Sequence, residues 1–363
     1  MNLKWSFVFK EGHLVRRVVV TGVGILVPGS TGKDEVFKNM SRGKVATEKV
    51  TSIDCKDLRI QVAGEIKNFN VNNYIQDRHG IKVSNLGRAE GLGLTALQMA
   101  IEDSKIDIKK EKGIAVGMGM TMTNMLQPNF DNIEEVKSLL GKDLISCKDN
   151  IENISPVSIL SLICKYFDLK YPKPRIFTNA CAASNYSIGF GYDEIKNNCA
   201  DVAFVGGVES ISLTALMGFN RLLSLTPDLC RPFSKGRKGL IVGEGAAFII
   251  LEEYERAKKR GAYIYGEIKG YGLGVDAYHI TAPRADAKGA ISSMQEALYM
   301  SGLIPDEIDY VSAHGTGTPL NDKTETKALK EVFKNKVPPA SSIKSMIGHS
   351  LGAAGAIEAV CSL

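Results

Sequence analysis

The chain has 363 residues, 44% hydrophobic and 23% charged, which is long for one simple domain and ample for a two-lobed core. Its formal charge of +5 is mild, and no basic stripe interleaved with aromatics occurs, which argues against a nucleic-acid partner. Seven widely spaced cysteines, odd in number and without a CxxC pair, read as free thiols in a reducing compartment, and no run nears the ~20 apolar residues of a membrane span.

The opening, MNLKWSFVFKEGHLVRR, has too short an apolar run for a signal peptide. Residues 1–15 read as an N-terminal extension, and a cytoplasmic enzyme is expected. From Arg17 the run RVVVTGVGILVPG predicts a strand ending in a glycine turn. Further strands are predicted at Gly113–Met118, Arg175–Thr178, Asp201–Gly207 and Ala247–Glu253, with helices at Leu86–Asp103 and Ser184–Asn197. Strands alternating with helices predict an α/β fold with a largely buried sheet.

The second part repeats this order. Tyr265–Gly274 reads as an opening strand and turn, Lys288–Gly302 as a helix and Asp309–Ala313 as a strand running into HGTGT. Pro339–Ser342 then leads into IKSMIGHSLGAAGAIEAV. This block mirrors the one around Cys181: a short strand, a turn with a chemically reactive residue, then a helix of small residues. The pattern is an internal duplication, with boundaries expected at 16–262 and 263–363, and with Cys181 and His349 in equivalent turns. The first part continues with two more strands after its small-residue helix. The second has no counterpart to them, so the second lobe is expected to be incomplete.

Three segments carry chemistry. In TNACAASN, Cys181 stands where a strand turns into a helix, and a helix N-terminus stabilises a thiolate. An inert buried thiol is the competing reading. In SAHGTGTPLNDKTET, a strand end delivers His314 to a glycine-flanked loop, with the hydroxyls of Thr316 and Thr318 and the carboxylates of Asp322 and Glu325 nearby. A loop with one solvated histidine is the competing reading there. In SIKSMIGHSLGAAG, His349 begins a Gly/Ala helix five residues after Lys344, where a packed core histidine is the alternative. The pair Gly22-Val-Gly24 lacks the third glycine and the acidic residue of a dinucleotide site, so no nicotinamide or flavin is expected. No metal-ligand spacing is visible either.

Together the three segments resemble the β-ketoacyl-[acyl-carrier-protein] synthases of the thiolase superfamily, in their elongating Cys-His-His type. The resemblance runs from Arg16 to the end and includes VGGVES at 205–210, RPFSKGRKGLIVGEGAAFIILEE at 231–253 and DAYHITAP at 276–283. It implies a thiolase-like fold of two pseudo-symmetric αβαβα half-domains. It implies that Cys181 carries an acyl group and that His314 and His349 stabilise the enolate left when a malonyl thioester loses CO2. Lys344 would support them electrostatically, and Glu325 and Asp322 would orient the site. Thr316 and Thr318 would hold a pantetheine arm.

The implied partners are an acyl carrier protein, malonyl and acyl thioesters, and a second identical or related subunit. No cofactor would be resident, since phosphopantetheine arrives on the carrier. Arg78, Lys82 and Arg88 lie where such enzymes present basic residues to the carrier, with a solvated helix face as the plainer reading. His279 is expected to be structural. The family's second oxyanion donor comes from a glycine-rich loop, expected beyond Leu363. The Met-rich run at 117–125, where the family is glycine-rich, points to a specialised substrate. A non-catalytic partner subunit is the alternative reading, distinguished by whether Cys181 becomes acylated.

Overall fold

The computed structural model describes residues 16–121, 156–334 and 336–363. The extension at 1–15, Cys147 and the part of the Met-rich run after Thr121 lie outside the described residues.

The centre is a sheet whose main path runs β10-β1-β9-β7-β5-β6, made of β1 (Val18–Val27), β5 (Ala115–Gly119), β6 (Lys173–Phe177), β7 (Val202–Glu209), β9 (Gly245–Glu253) and β10 (Gly266–Ile268), with β2 (Ser30–Thr31) folded onto β1. β5 lies parallel to both β6 and β7, whereas β9 runs antiparallel to β7 and β1. A smaller sheet joins β3 (Thr47–Lys49), β4 (Val62–Gly64) and β8 (Val242–Gly243), and β11 (Val311–Ser312) pairs in parallel with β12 (Ala340–Ser341).

Both faces of the central sheet are covered over β1, β5, β7 and β9, and these strands are buried along nearly their whole length. Along β9, Ala246, Phe248 and Ile250 face one core and Ala247, Ile249 and Leu251 the other. Helices α1 (Lys33–Ser41), α2 (Arg88–Ser104) and α3 (Pro156–Tyr166) precede the cysteine segment. Leu92, Leu94 and Leu97 of α2, with Ile159 and Ile163 of α3, pack on the first face. The second face is covered by α1, by Tyr192 and Ile195 of α4 (Ala183–Lys196), and by residues near the C-terminus such as Ile357. The predicted α/β layering is what forms.

Gly22 and Gly24 find their reason here. A Cβ on Gly24 would lie 2.0 Å from the carbonyl oxygen of Ala96, and one on Gly22 2.4 Å from that of Ala100. They let α2 lie directly on β1; the pair is a packing device.

Helices α5 (Leu213–Arg221) and α6 (Tyr254–Lys259) complete the first part. The later part contributes α7 (Lys288–Ser301), α8 (Pro319–Phe333), α9 (Lys344–Ile347) and α10 (Ala354–Ser362). The strand predicted at Asp309–Ala313 forms only over two residues; among the described residues it pairs with β12, which supplies two. α7 buries only Gly289, and both residues of β12 are exposed.

Candidate active site

The turn that carries Cys181 is built from small residues because the backbone there is crowded. Cys181 sits in a 3-10 turn, Ala180–Ala182, that runs into α4. A Cβ on Gly119 would lie 2.2 Å from the backbone nitrogen of Ser184, and one on Gly207 would meet Gly119, Ser184 and Gly352 at 2.8–3.0 Å. Ends of β5 and β7 therefore press against the start of α4, and only glycine fits.

The same turn recurs before α10, at Leu351–Ala353. Asn179 and Ser350 have φ/ψ of −78/49 and −82/28, and Ala182 and Ala353 have −89/−3 and −85/−13. Ala180 and Leu351 both take a left-handed φ, 47 and 42. The equivalence of the two turns expected from the sequence is present in the backbone. It corrects one detail: Gly352, not His349, occupies the place of Cys181, and His349 stands three residues earlier. The backbone amide of Ala356 donates to Ser184 Oγ at 2.9 Å, so the two matching helices meet.

That meeting brings the distant segments together. His349 Nε2 lies 3.0 Å from Cys181 Sγ. The His314 and His349 rings lie edge to face, 5.1 Å between centroids. His349 is pinned by its own backbone, donating to Ile241 O at 2.7 Å and accepting from the Gly243 amide at 2.8 Å beside β8. Its Nδ1 is buried without a hydrogen-bond partner among the described residues.

His314 is held from the other side. Its amide and that of Gly315 donate to the two Glu325 carboxylate oxygens at 2.7 and 2.8 Å. Asp322 accepts from the Gly317 amide at 3.1 Å and the Phe233 amide at 2.7 Å. Lys344, 1% exposed, donates from Nζ to His314 O at 2.6 Å and pairs with Glu358. Thr316 and Thr318 share a hydroxyl contact of 2.9 Å. Both threonines line a cavity of about 690 Å³ with Cys181, His314, His349, Phe219, Lys238 and His279. His279 is itself exposed, and its Nδ1 accepts from the amides of Thr281 and Ala282, a local turn contact.

Burial dominates the electrostatics. It lowers the His314 pKa to about 3, helped by the Lys344 charge, and puts His349 well below its usual value for the same causes and the neighbouring His314. Both imidazoles are neutral at pH 7. Burial also pushes the Cys181 thiol up to about 11; Lys344 lowers it, while Glu209 and Glu358 raise it. Desolvation is the largest influence on Cys181 and opposes the thiolate that a helix start was expected to favour. The resting nucleophile is a thiol beside an imidazole.

Glu358 and Glu209 were missed in the sequence. A carboxylate inside the apolar run AGAIEAV was the available signal for Glu358. Glu209, in VGGVES, accepts from the Thr121 amide and hydroxyl and the Gly352 amide, all at 2.9 Å, tying β5 to the second turn. The three basic residues proposed for carrier docking divide. Lys82 is exposed and pairs with Asp77, and Arg78 lies over the Tyr166 ring. Arg88 instead points inward, bonding to Ile66 O and both oxygens of the fully buried Glu244. Its charge is committed to the core, which corrects its assignment to a docking face.

The described cysteines are all free thiols. Among the described residues no helix is long and apolar enough to cross a membrane.

Comparison with known proteins identifies the family. The family profile described as Beta-ketoacyl synthase, N-terminal domain, matches residues 15–257, and that for the C-terminal domain matches 265–363. The 3-oxoacyl-[acyl-carrier-protein] synthase 2 of Staphylococcus aureus (strain COL) is 35% identical over 362 residues, covering 96% of this chain and 84% of the relative. The solved ishigamide ketosynthase/chain length factor superposes with a TM-score of 0.83 at 34% identity, covering 96% of this chain and 85% of that one. AntDE:AntF, a type II PKS acyl-carrier protein in complex with its ketosynthase bound to the hexaketide, gives a TM-score of 0.81 at 26% identity, covering 96% and 86%.

Proposed function

Because the chain belongs to the β-ketoacyl synthase family, we propose that Cys181, His314 and His349 carry out its decarboxylative Claisen condensation by the following division of labour. The enzyme is a 3-oxoacyl-[acyl-carrier-protein] synthase acting in fatty acid or polyketide biosynthesis. Cys181 Sγ attacks the carbonyl of an acyl thioester while His349 takes the thiol proton. The donor thiol departs with that proton, leaving the acyl group on Cys181. A malonyl thioester then loses CO2, and the negative charge moves to its thioester oxygen. The neutral imidazole of His314 offers an N–H group to that oxygen, and His349 does so in its Nε2–H tautomer. The carbanion forms a bond to the acyl carbon, the bond from that carbon to Cys181 Sγ breaks, and the released thiolate takes a proton from solvent to restore the thiol.

The observation that carries this reading is the 3.0 Å contact between His349 Nε2 and Cys181 Sγ, with both histidines held neutral by desolvation. Lys344 tunes both histidines, and Glu325 and Asp322 hold the loop that presents His314. Thr316 and Thr318 receive the pantetheine arm. Phosphopantetheine arrives on the carrier, so no resident cofactor is needed. Arg78 and Lys82 meet the carrier's acidic surface. The non-catalytic partner reading is not favoured, since Cys181 and both histidines are present and assembled.

The chain works as a dimer in the cytoplasm. Among the described residues β6 is an edge strand with Pro174 and Arg175 exposed, and an unpaired edge invites a second strand. Sedimentation that finds only monomer would remove the dimer.

The test is acyl mass on Cys181. Incubation with an acyl-carrier thioester should add one acyl group to the wild-type chain and none to Cys181→Ala. Malonyl-carrier should then convert the adduct to product. His349→Ala should keep slow acylation and lose malonyl decarboxylation. A folded wild-type chain that gains no acyl mass sinks the proposal, and adduct loss without malonyl-carrier would mark a hydrolase.

A further inference from the structure

We infer that Cys181, His314 and His349 also form a binding site for one zinc ion, open only while Cys181 carries no acyl group. The regulatory consequence rests on the condensation reading above; the binding itself does not. Among the described residues these are the one group of three ligand types whose donor atoms, Cys181 Sγ and a ring nitrogen of each histidine, lie within 4.8 Å of one another.

The spacing suits the ion. Zinc bonds of about 2.3 Å to sulfur and 2.0–2.1 Å to nitrogen, at tetrahedral angles, set donors about 3.4–3.6 Å apart. The Sγ–Nε2 contact is 3.0 Å, so it must open by about half an ångström, and the other separations, all within 4.8 Å, need close by no more than about 1.4 Å. One thiolate and two imidazoles form a borderline-soft set that selects zinc over magnesium or calcium. The fourth position faces the 690 Å³ cavity, where water or chloride completes the shell.

Charge permits it. Of the cations near the site, Lys344 has its ammonium taken up by Glu358 and His314 O, so the ion meets an ion pair there, and Lys238 lines the same cavity. On binding, the S–H bond breaks, the Zn–S bond forms and the proton leaves to solvent. An acyl group on Cys181 removes the thiolate and fills the space beside it. Zinc and acylation are therefore mutually exclusive, and zinc holds back the first half-reaction while the acyl-enzyme resists it.

The experiment titrates the chelator-treated full chain with Co²⁺ as a spectroscopic stand-in, then with Zn²⁺ as competitor. One Co²⁺ per chain should bind, with tetrahedral visible bands and a thiolate-to-cobalt charge-transfer band that zinc abolishes. The band should vanish in Cys181→Ser and equally after acylation of the wild-type chain, which needs no substitution. His349→Asn should weaken zinc by more than about tenfold. Zinc should slow acylation in competition with the acyl donor. A missing thiolate band, a band that survives acylation, or zinc binding that ignores acylation overturns the site. A chain that shows the band but never condenses would instead overturn the condensation reading and leave the metal site standing.

Discussion

At the scale of single residues, one physical effect acts in opposite directions on the reacting groups. Burial disfavours charge, so it keeps His314 and His349 neutral and Cys181 protonated. The thiol consequence is measurable with iodoacetamide. Because the Cys181 pKa is raised to about 11, its alkylation rate should climb about tenfold per pH unit from pH 7 to 10. A plateau below pH 8, read by adduct mass at Cys181, would show a thiolate at rest.

The histidines bear on stability. Their folded values lie below the unfolded ones, so the unfolded chain takes up protons first as pH falls. Their contribution is complete above about pH 6.5 and is lost as pH drops toward the folded value, about 1.4 kcal/mol per pH unit for each. Between pH 7 and 5, wild type should lose about 2 kcal/mol more than His314→Asn in urea unfolding. Equal losses in the two proteins would contradict a neutral, desolvated His314.

At the scale of elements, the site depends on backbones brought unusually close. Gly119, Gly207 and Gly352 let two strand ends and two helix starts converge, and Glu209 ties them with side-chain acceptors. Glu244 does the same for the smaller sheet, accepting from the amides of Ile66 and Ile211 and from Arg88. Arg88→Ala leaves that carboxylate buried without its cation and should cost about 3–5 kcal/mol by chemical denaturation. Lys82→Ala, on the surface, should stay within about 0.5 kcal/mol. A neutral Arg88→Ala with weakened carrier binding would return Arg88 to the docking face.

Taken as a whole, the molecule is unevenly consolidated. The central sheet is covered on both faces, whereas α7 and β11 pack on a small cluster of α8 residues, Leu329, Val332 and Phe333, and β12 is exposed. Local opening should follow that contrast. Amides of β11 and β12 should exchange with deuterium at least about a hundredfold faster than those of β7 and β9. Uniform protection across both sheets would show that the small sheet shares the main core's cooperativity. His314 follows β11 directly, so the same measurement made with and without an acyl group on Cys181 reads whether acylation steadies this side of the site.

The sequence alone determined which residues were chemically available and what lay around each. The alternation of strands and helices, the repeated turn, and Cys181, His314 and His349 in glycine-rich surroundings were all legible, because periodicity and turn chemistry act over a few residues. Lys344 was legible by its spacing from His349, but Glu358 was not, since only the fold of α9 against α10 turns that carboxylate toward the ammonium. Arg88 read as a surface cation because helix pattern does not reveal a buried acid 156 positions away. The offset between His349 and Cys181 in the matching turns was likewise decided in three dimensions, where Gly352 takes the cysteine's place. So was the protonation state of Cys181. The helix start that favours a thiolate is local and visible in the sequence, whereas the desolvation that outweighs it is set by every segment packed around the sulfur.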